Sequence, residues 1–459
     1  MVFTIIGSVS AEDGSTCSTD TSLDSIAPTI EGINPANNSV NVPVDTVINV
    51  TFSEPIQEGN TTIELRNSTG ALIPITTSIS DNILTITPVS SLARGVEYTV
   101  LFNENSVKDL SGNGVEFYTS TFTVVPLMKA YWMWGSAVAG ADVTDLSNKG
   151  ITDLFVLTRG TTGKSYLNEL QLAISKFQPA GIKVHAWIVC FKDSNGNFVD
   201  PSGYYSYTKK VYVKTIKYWG KKKVAYKVWK KVKWKKIGKR WKYKWIKVIR
   251  YRWRKGWIYQ PVYSYVTEKG YSQNFNNYLV DYIKAITINY KVDGIHLDYV
   301  RYSGVASKNH AAYQEPGGEV AAINAVTGFV SRVNAAIKSI EPGILLSAAV
   351  MPECSTNAKY YGQDYTKLAD YLDFFVPMAY EGNYNANNAW ITSVTSYIVA
   401  QAKGKPVYSG LTTYWSDSDT RVLSNEELDA DAQAAESGGA DGFVLFRYGI
   451  GAYVPDWPA

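Results

Sequence analysis

Cysteine, histidine and long apolar runs are all scarce in this chain. Its three cysteines, at positions 17, 190 and 354, make no metal-binding or redox spacing in 459 residues. Disulfides therefore do not hold the fold together, and a Cys190–Cys354 bridge has nothing local to support it. Two of the three histidines, His185 and His296, have no carboxylate at a ligand spacing and form no recognisable ligand set, so no metal and no cofactor is expected. No run of about 18 or more apolar residues occurs, which excludes an obvious membrane-spanning helix. Acidic residues are absent from one long stretch. Residues 208–255 hold 22 of the 45 Lys and Arg and no Asp or Glu. The remaining 23 basic residues face all 41 acidic ones, a net of −18, so one basic block sits in an acidic protein.

The length implies two or three domains. Residues 1–26 read as a signal remnant and linker. The first eleven residues resemble the end of a secretory signal, with Val9 and Ala11 suiting a cleavage site, though a basic start is missing. A polar leader rich in Ser, Thr and Asp follows. Export, to the extracellular space or the cell surface, is the expectation.

Residues 27–126 alternate in short runs between turn signals, as in Thr46-Val-Ile-Asn-Val-Thr-Phe52 and Tyr98-Thr-Val-Leu-Phe102. About seven strands and no helix predict an all-β sandwich. The series Asn41-Val-Pro-Val-Asp-Thr, Phe52-Ser-Glu-Pro-Ile56 and Val107-Lys-Asp-Leu-Ser-Gly-Asn113 resembles the Ig-like domains of prokaryotic surface-layer and cell-wall proteins. That resemblance implies a spacer or wall attachment. The four Asn-X-Ser/Thr sequons, at Asn37, Asn49, Asn60 and Asn67, all fall here and suit an exported, solvent-facing domain.

Residues 127–459 change grammar. Apolar strands at 129–134, 152–158, 183–190, 292–298, 344–351, 372–380, 405–413 and 442–447 alternate with amphipathic helices. Eight such units predict an α/β domain, a (β/α)8 or TIM barrel. An open doubly wound sheet is the rival, but no Gly-rich phosphate loop follows the first strand. The third βα loop is enlarged by a basic, aromatic, β-rich insertion at 206–266. Glycines at 220, 238 and 256 predict successive hairpins, with one face Lys/Arg and the other aromatic and β-branched.

Barrel enzymes place their chemistry at the C-terminal ends of the strands. That rule selects Trp134, Arg159, His185, Trp187, His296, Asp298, Arg301, Glu353, Tyr380, Glu381, Trp415, Arg447 and Tyr448. Aromatics beside a few carboxylates make a sugar-site composition. Glycoside hydrolysis needs two carboxyl groups, one acid and one base or nucleophile. Asp298 and Glu353, on neighbouring strands, are the expected catalytic pair, with Glu381 as the alternative second acid. Arg301 is expected to hold Asp298 ionised by a charge-assisted hydrogen bond. The other selected residues are expected to contact substrate. Asp293 lies at the start of its strand and reads as structural.

The motifs Asp293-Gly-Ile-His-Leu-Asp-Tyr-Val-Arg-Tyr302, Val184-His-Ala-Trp187 and Pro377-Met-Ala-Tyr380 resemble those of uncharacterised barrel glycoside hydrolases with a DGI-x-x-DY-x-R fourth strand. A more distant similarity is to chitinases, but His296 and Val300 replace two of that group's acids, so the chitinase mechanism does not carry over. The resemblance implies an exported glycoside hydrolase acting on a cell-wall or surface polysaccharide. A non-catalytic wall-binding protein or adhesin on a degenerate barrel is the alternative. A cysteine peptidase has no local motif. The basic insertion is expected to hold an anionic cell-wall polymer rather than nucleic acid. Its Lys/Tyr/Trp runs resemble those of methanogen surface proteins, which would make the polymer pseudomurein.

Overall fold

The computed structural model describes residues 24–304 and 318–457. The expected signal remnant, most of the leader and Cys17 lie outside the described residues. Eleven short strands between Ile30 and Val124 form the first unit. Four make one sheet, five a second, and Ile56–Glu58 pairs with Val107–Asp109. Several of the strands beyond the expected seven are only two or three residues long. The inward residues of the sheets, among them Val50, Phe52, Leu84, Val100, Phe102 and Phe122, form one buried core. This is the all-β Ig-like sandwich that the alternation predicts.

The second unit is an eight-stranded parallel barrel. Its strands are β1 (Met128–Met133), β2 (Asp153–Arg159), β3 (Lys183–Val189), β4 (Gly294–Asp298), β5 (Leu345–Val350), β6 (Phe374–Pro377), β7 (Ser409–Thr412) and β8 (Gly442–Phe446). They pair in the order β6-β5-β4-β3-β2-β1-β8-β7. Two parallel bridges, Phe375 to Val407 and Met378 to Gly410, close the cylinder between β6 and β7. Alternation along the strands divides the apolar residues into two separate cores. Ala130, Trp132, Phe155, Trp187, Ala349 and Val376 fill the inside. Tyr131, Leu154, Ala186, Ile295, Leu297 and Leu346 pack outward against the helices. Gly410 leaves room for the ring of Trp132, and Gly294 for that of His185.

One device recurs at the N-terminal pole. The residue just before each even strand hydrogen-bonds, through its side chain, a backbone N–H at or just before the start of the preceding odd strand. Thr152 accepts from Lys129 (3.1 Å), Asp293 from Val184 (2.7 Å), Asp373 from Leu346 (2.7 Å) and Asp441 from Val407 (3.3 Å). Asp293 is therefore structural, as its position implies. Asp441 also pairs with Arg94 of the sandwich at 2.8 Å, so the sandwich meets the barrel at this pole.

The helix Gly318–Lys338, between β4 and β5, is long and apolar enough to cross a membrane by length and composition, unlike the expectation that no segment is. Its seven buried residues, including Val326, Phe329 and Val333, pack on the barrel instead.

The insertion after β3 is one hairpin, not several. Tyr204–Ile237 pairs with Arg240–Tyr271 along its whole length. Only Gly238, at φ +58°, makes a turn. Gly220 and Gly256 lie 18 residues on either side of it and so face each other across the ribbon.

Replacing Asp293 with Ala removes the acceptor for both Val184 N–H and the Gln178 side chain. Leaving such donors unmet costs about 1–3 kcal/mol. Urea unfolding of the Asp293→Ala protein is expected to show a loss of that size, and Asp293→Asn, which keeps one acceptor, a smaller one.

Candidate active site

A cavity of about 810 Å³ opens at the C-terminal ends of the strands. Asp298 closes β4 and lines it. The next residue, Tyr299, has φ +52°, which turns the chain out of the barrel at a backbone cost of about 1–3 kcal/mol. This turn aims the Tyr299 N–H at Asp298 Oδ1 (2.7 Å), while the Trp187 indole donates to Oδ2 (3.0 Å). Both carboxylate oxygens thus face N–H donors. Burial raises the pKa of Asp298, and the Trp187 and Tyr299 donors and the charge of Arg301 oppose that rise.

Arg301 lines the same cavity but does not make the expected hydrogen bond to Asp298. Its guanidinium donates to the Tyr302 carbonyl (3.0 Å) and lies over the rings of Phe198, Tyr299 and Tyr361. The indole and the backbone have taken the place it was expected to fill.

Glu353 follows β5 and lines the cavity with Asp298. Its Oε1 accepts from the hydroxyls of Tyr361 (3.1 Å) and Tyr384 (2.8 Å). Its Oε2 is buried without a hydrogen-bond partner. Burial raises the pKa of this carboxyl, and the two tyrosines and Arg301 pull against it. Arg301 therefore acts electrostatically on both carboxyl groups.

Trp134, Trp187 and Tyr380 also line the cavity. One face of Trp134 is covered by Arg447, whose guanidinium carbon stands 3.9 Å from the ring centre. The remaining selected residues are not brought to the wall. His296 lies fully buried below, between Trp132 Nε1 (3.1 Å) and Ser347 Oγ (2.9 Å). An indole N–H only donates, so His296 Nε2 accepts and the ring is neutral with its proton on Nδ1. Burial lowers its pKa in the same direction. His185 is fully buried against Asp153 (2.7 Å).

Arg159 is a structural clamp. Its guanidinium donates to the carbonyls of Val189, Cys190 and Lys192, at the C-terminal end of β3, because β2 and β3 adjoin there. Trp415 stacks with Arg421, and Tyr448 packs edge-on against Tyr131. Glu381 opens the helix Glu381–Tyr384 and couples electrostatically to Glu427 and Asp431. Val300 is buried in the strand–helix core.

Sequence reasoning missed Tyr299, Tyr361, Asn383 and Tyr384, which all line the cavity. Asp417, at the end of the seventh strand region but not among the selected residues, lines it too. The two tyrosines on Glu353 come from separate short helices, Asn357–Tyr361 and Glu381–Tyr384, and had no signal in the sequence. The thiol of Cys190 is fully buried and its pKa is pushed up by that burial, which makes it inert. Asp24, Glu54 and Asp109 bring ligand oxygens within 4.8 Å of one another, but in the sandwich, not in the cavity.

Comparison with known proteins gives two family matches. A bacterial Ig-like domain family matches residues 24–124, and a family described as "Putative glycosyl hydrolase domain" matches residues 157–448. No curated protein matches the chain. Among solved structures it is similar to the PgaB (BpsB) glycoside hydrolase domain from Bordetella bronchiseptica, at 12% identity and TM-score 0.44, covering 70% of this chain and 94% of that one. It is similar to chitinase ChiW from Paenibacillus sp. str. FPU-7, a cell-surface-expressed multi-modular enzyme, at 10% identity and TM-score 0.43, covering 95% and 56%. A class V chitinase from Pseudomonas fluorescens Pf-5 shows 12% identity and TM-score 0.42, covering 71% and 96%.

The Glu381 cluster has a consequence for stability. Burial, then the charges of Glu381 and Glu427, push Asp431 up from 3.8 to about 8. Its folded pKa exceeds its unfolded value, so its contribution is fully present below about pH 4 and is lost as pH rises through about 8. Asp431→Asn, which keeps the acceptor for Asn388, is expected to raise the melting temperature at pH 8 and to leave it unchanged at pH 4.

Proposed function

Since the chain belongs to the putative glycosyl hydrolase family, we propose that it hydrolyses glycosidic bonds with Asp298 and Glu353 as its carboxylate pair. The observation that carries this reading is the unequal hydrogen bonding of two buried carboxyls on one cavity, with donors on both oxygens of one and on a single oxygen of the other. Asp298 meets only donors, at both oxygens, which suits an anion. Glu353 has both hydroxyl contacts on Oε1 and an unpaired Oε2, which suits a proton on Oε2. Two carboxyls in environments that favour different protonation states divide into base and acid. Glu353 then protonates the glycosidic oxygen as the C1–O bond breaks. Asp298 supplies negative charge to the oxocarbenium-like centre, and water completes the hydrolysis. Arg301 tunes both groups without touching either. Trp187, Trp134 and Tyr380 offer ring surface to the sugar.

We read the substrate as a cell-wall or surface polysaccharide and the protein as exported or surface-held. The bacterial Ig-like domain supports that location. Pseudomurein glycan is the specific candidate that the methanogen-like runs of the insertion offer. The burial of Val300, where chitinases carry their acid, favours a second reading, a barrel that binds wall polymer without cutting it.

Incubation with defined wall polysaccharides, read by reducing ends and product mass, separates the two readings. Asp298→Asn and Glu353→Gln are each expected to lower kcat by about 10²–10⁴. Full activity in Asp298→Asn with an unchanged fold would sink the assignment, and wild-type binding with no release would establish the second reading.

Tyr384→Phe tests the acid role separately. The hydroxyl lowers the pKa of Glu353, so its loss raises it. The alkaline limb of kcat/KM is then expected to move to higher pH. A limb that stays put means Glu353 is not the acid.

A further inference from the structure

The long hairpin takes no part in the chemistry above, yet it holds about half of the chain's positive charge. Its strands run 34 and 32 residues, on the order of 100 Å at about 3.3 Å per residue. The register sorts its side chains in a way the expected split does not describe. Basic residues occupy both faces. What separates is tryptophan from arginine: the arginines share one face, the paired tryptophans share the other, and lysine occupies both.

On the second strand every Trp and Tyr is odd-numbered: Trp241, Tyr243, Trp245, Tyr251, Trp253, Trp257 and onward to Tyr271. Arg240, Arg250, Arg252 and Arg254 are all even, with Ile246, Val248 and Ile258. The pairing puts Trp219 opposite Trp257 and Trp229 opposite Lys247, on the odd face. Lysine ammoniums lie over the rings there, as Lys217 over Trp257 (4.4 Å), Lys223 over Tyr251 (4.7 Å) and Lys231 over Tyr243 (4.9 Å). The tryptophans stay 44–67% exposed.

A lone two-stranded ribbon is marginal in water, and an open row of indoles is a surface that a partner covers. A second copy is a poor occupant, because it would set 22 like charges against 22. An anion suits the lysines, and flat C–H faces suit the rings. The hairpin is rooted just beyond β3, at the end of the barrel where the cavity opens. We propose that the tryptophan–lysine face is a linear docking surface for an extended, carboxylate-bearing polysaccharide strand, which it holds beside the cavity. The sugar half of this inference rests on the glycoside hydrolase reading. The one-faced geometry does not.

The test uses full-length protein and affinity electrophoresis in polygalacturonate. One variant replaces Trp241, Trp245, Trp253 and Trp257 with Thr, which keeps strand propensity. The other replaces Arg240, Arg250, Arg252 and Arg254 with Gln. Circular dichroism checks that both retain the wild-type spectrum. The tryptophan variant is expected to lose at least tenfold in affinity at 150 mM salt, the arginine variant no more than threefold, and a neutral dextran gel is expected to retard neither. Equal losses from the two faces would overturn the proposal, and so would tighter binding of a single-stranded oligothymidylate than of polygalacturonate. Reducing-end release from a short oligosaccharide is expected to be unchanged in both variants. Binding therefore stands or falls separately from catalysis, whose failure would appear in Asp298→Asn and not here.

Discussion

Consecutive side chains leave opposite faces of a β-strand, and both the barrel and its appendage depend on this constraint. In β4 it sends His296 and Asp298 inward and Ile295 and Leu297 outward to the helices. Repeated over eight strands, it separates an aromatic interior from an aliphatic outer layer. The interior is packed to its floor, with Trp132, His296 and Ser347 hydrogen-bonded in a row. That packing leaves the cavity at the mouth, where the strands end and the loops supply Glu353 and its tyrosines. The candidate carboxyls sit where the alternation gives out.

The two carboxyls share a cavity and a cation but differ in their partners. Burial pushes both upward, so burial alone does not tell them apart. Hydrogen bonding does, since N–H groups cannot accept a proton and tyrosine hydroxyls leave Oε2 of Glu353 free. The backbone turn at Tyr299 belongs to this arrangement, because its left-handed φ brings one of the two donors to Asp298.

Much of this was legible in the chain itself. The positions of all eight barrel strands follow from apolar runs broken by amphipathic helices, because buried parallel strands leave that mark. Asp298 and Glu353 were legible because they stand at strand ends. Arg159 was misread by the same rule. It too ends a strand, but its long side chain reaches sideways to three carbonyls at the end of β3. Tyr361 and Tyr384 were invisible, since their meeting at Glu353 depends on how two short helices fold back over the mouth. The hairpin's glycines suggested a repeat. A single turn at Gly238 with symmetric arms produces the same spacing.

The first strand of the hairpin slips register twice, between Tyr212 and Lys214 and between Lys233 and Lys235. Each slip absorbs one surplus residue, Val213 and then Trp234. Without the second, which lies nearer the turn, Trp219 and Trp229 would pair with Ile258 and Val248, on the opposite side of the ribbon from Trp257. The bulges act as frame corrections in a two-letter reading frame of side chains. Lengthening such an arm during evolution is therefore quantised. Two residues added to each strand extend the tryptophan row, whereas one added residue scrambles everything beyond it unless a new bulge restores the phase.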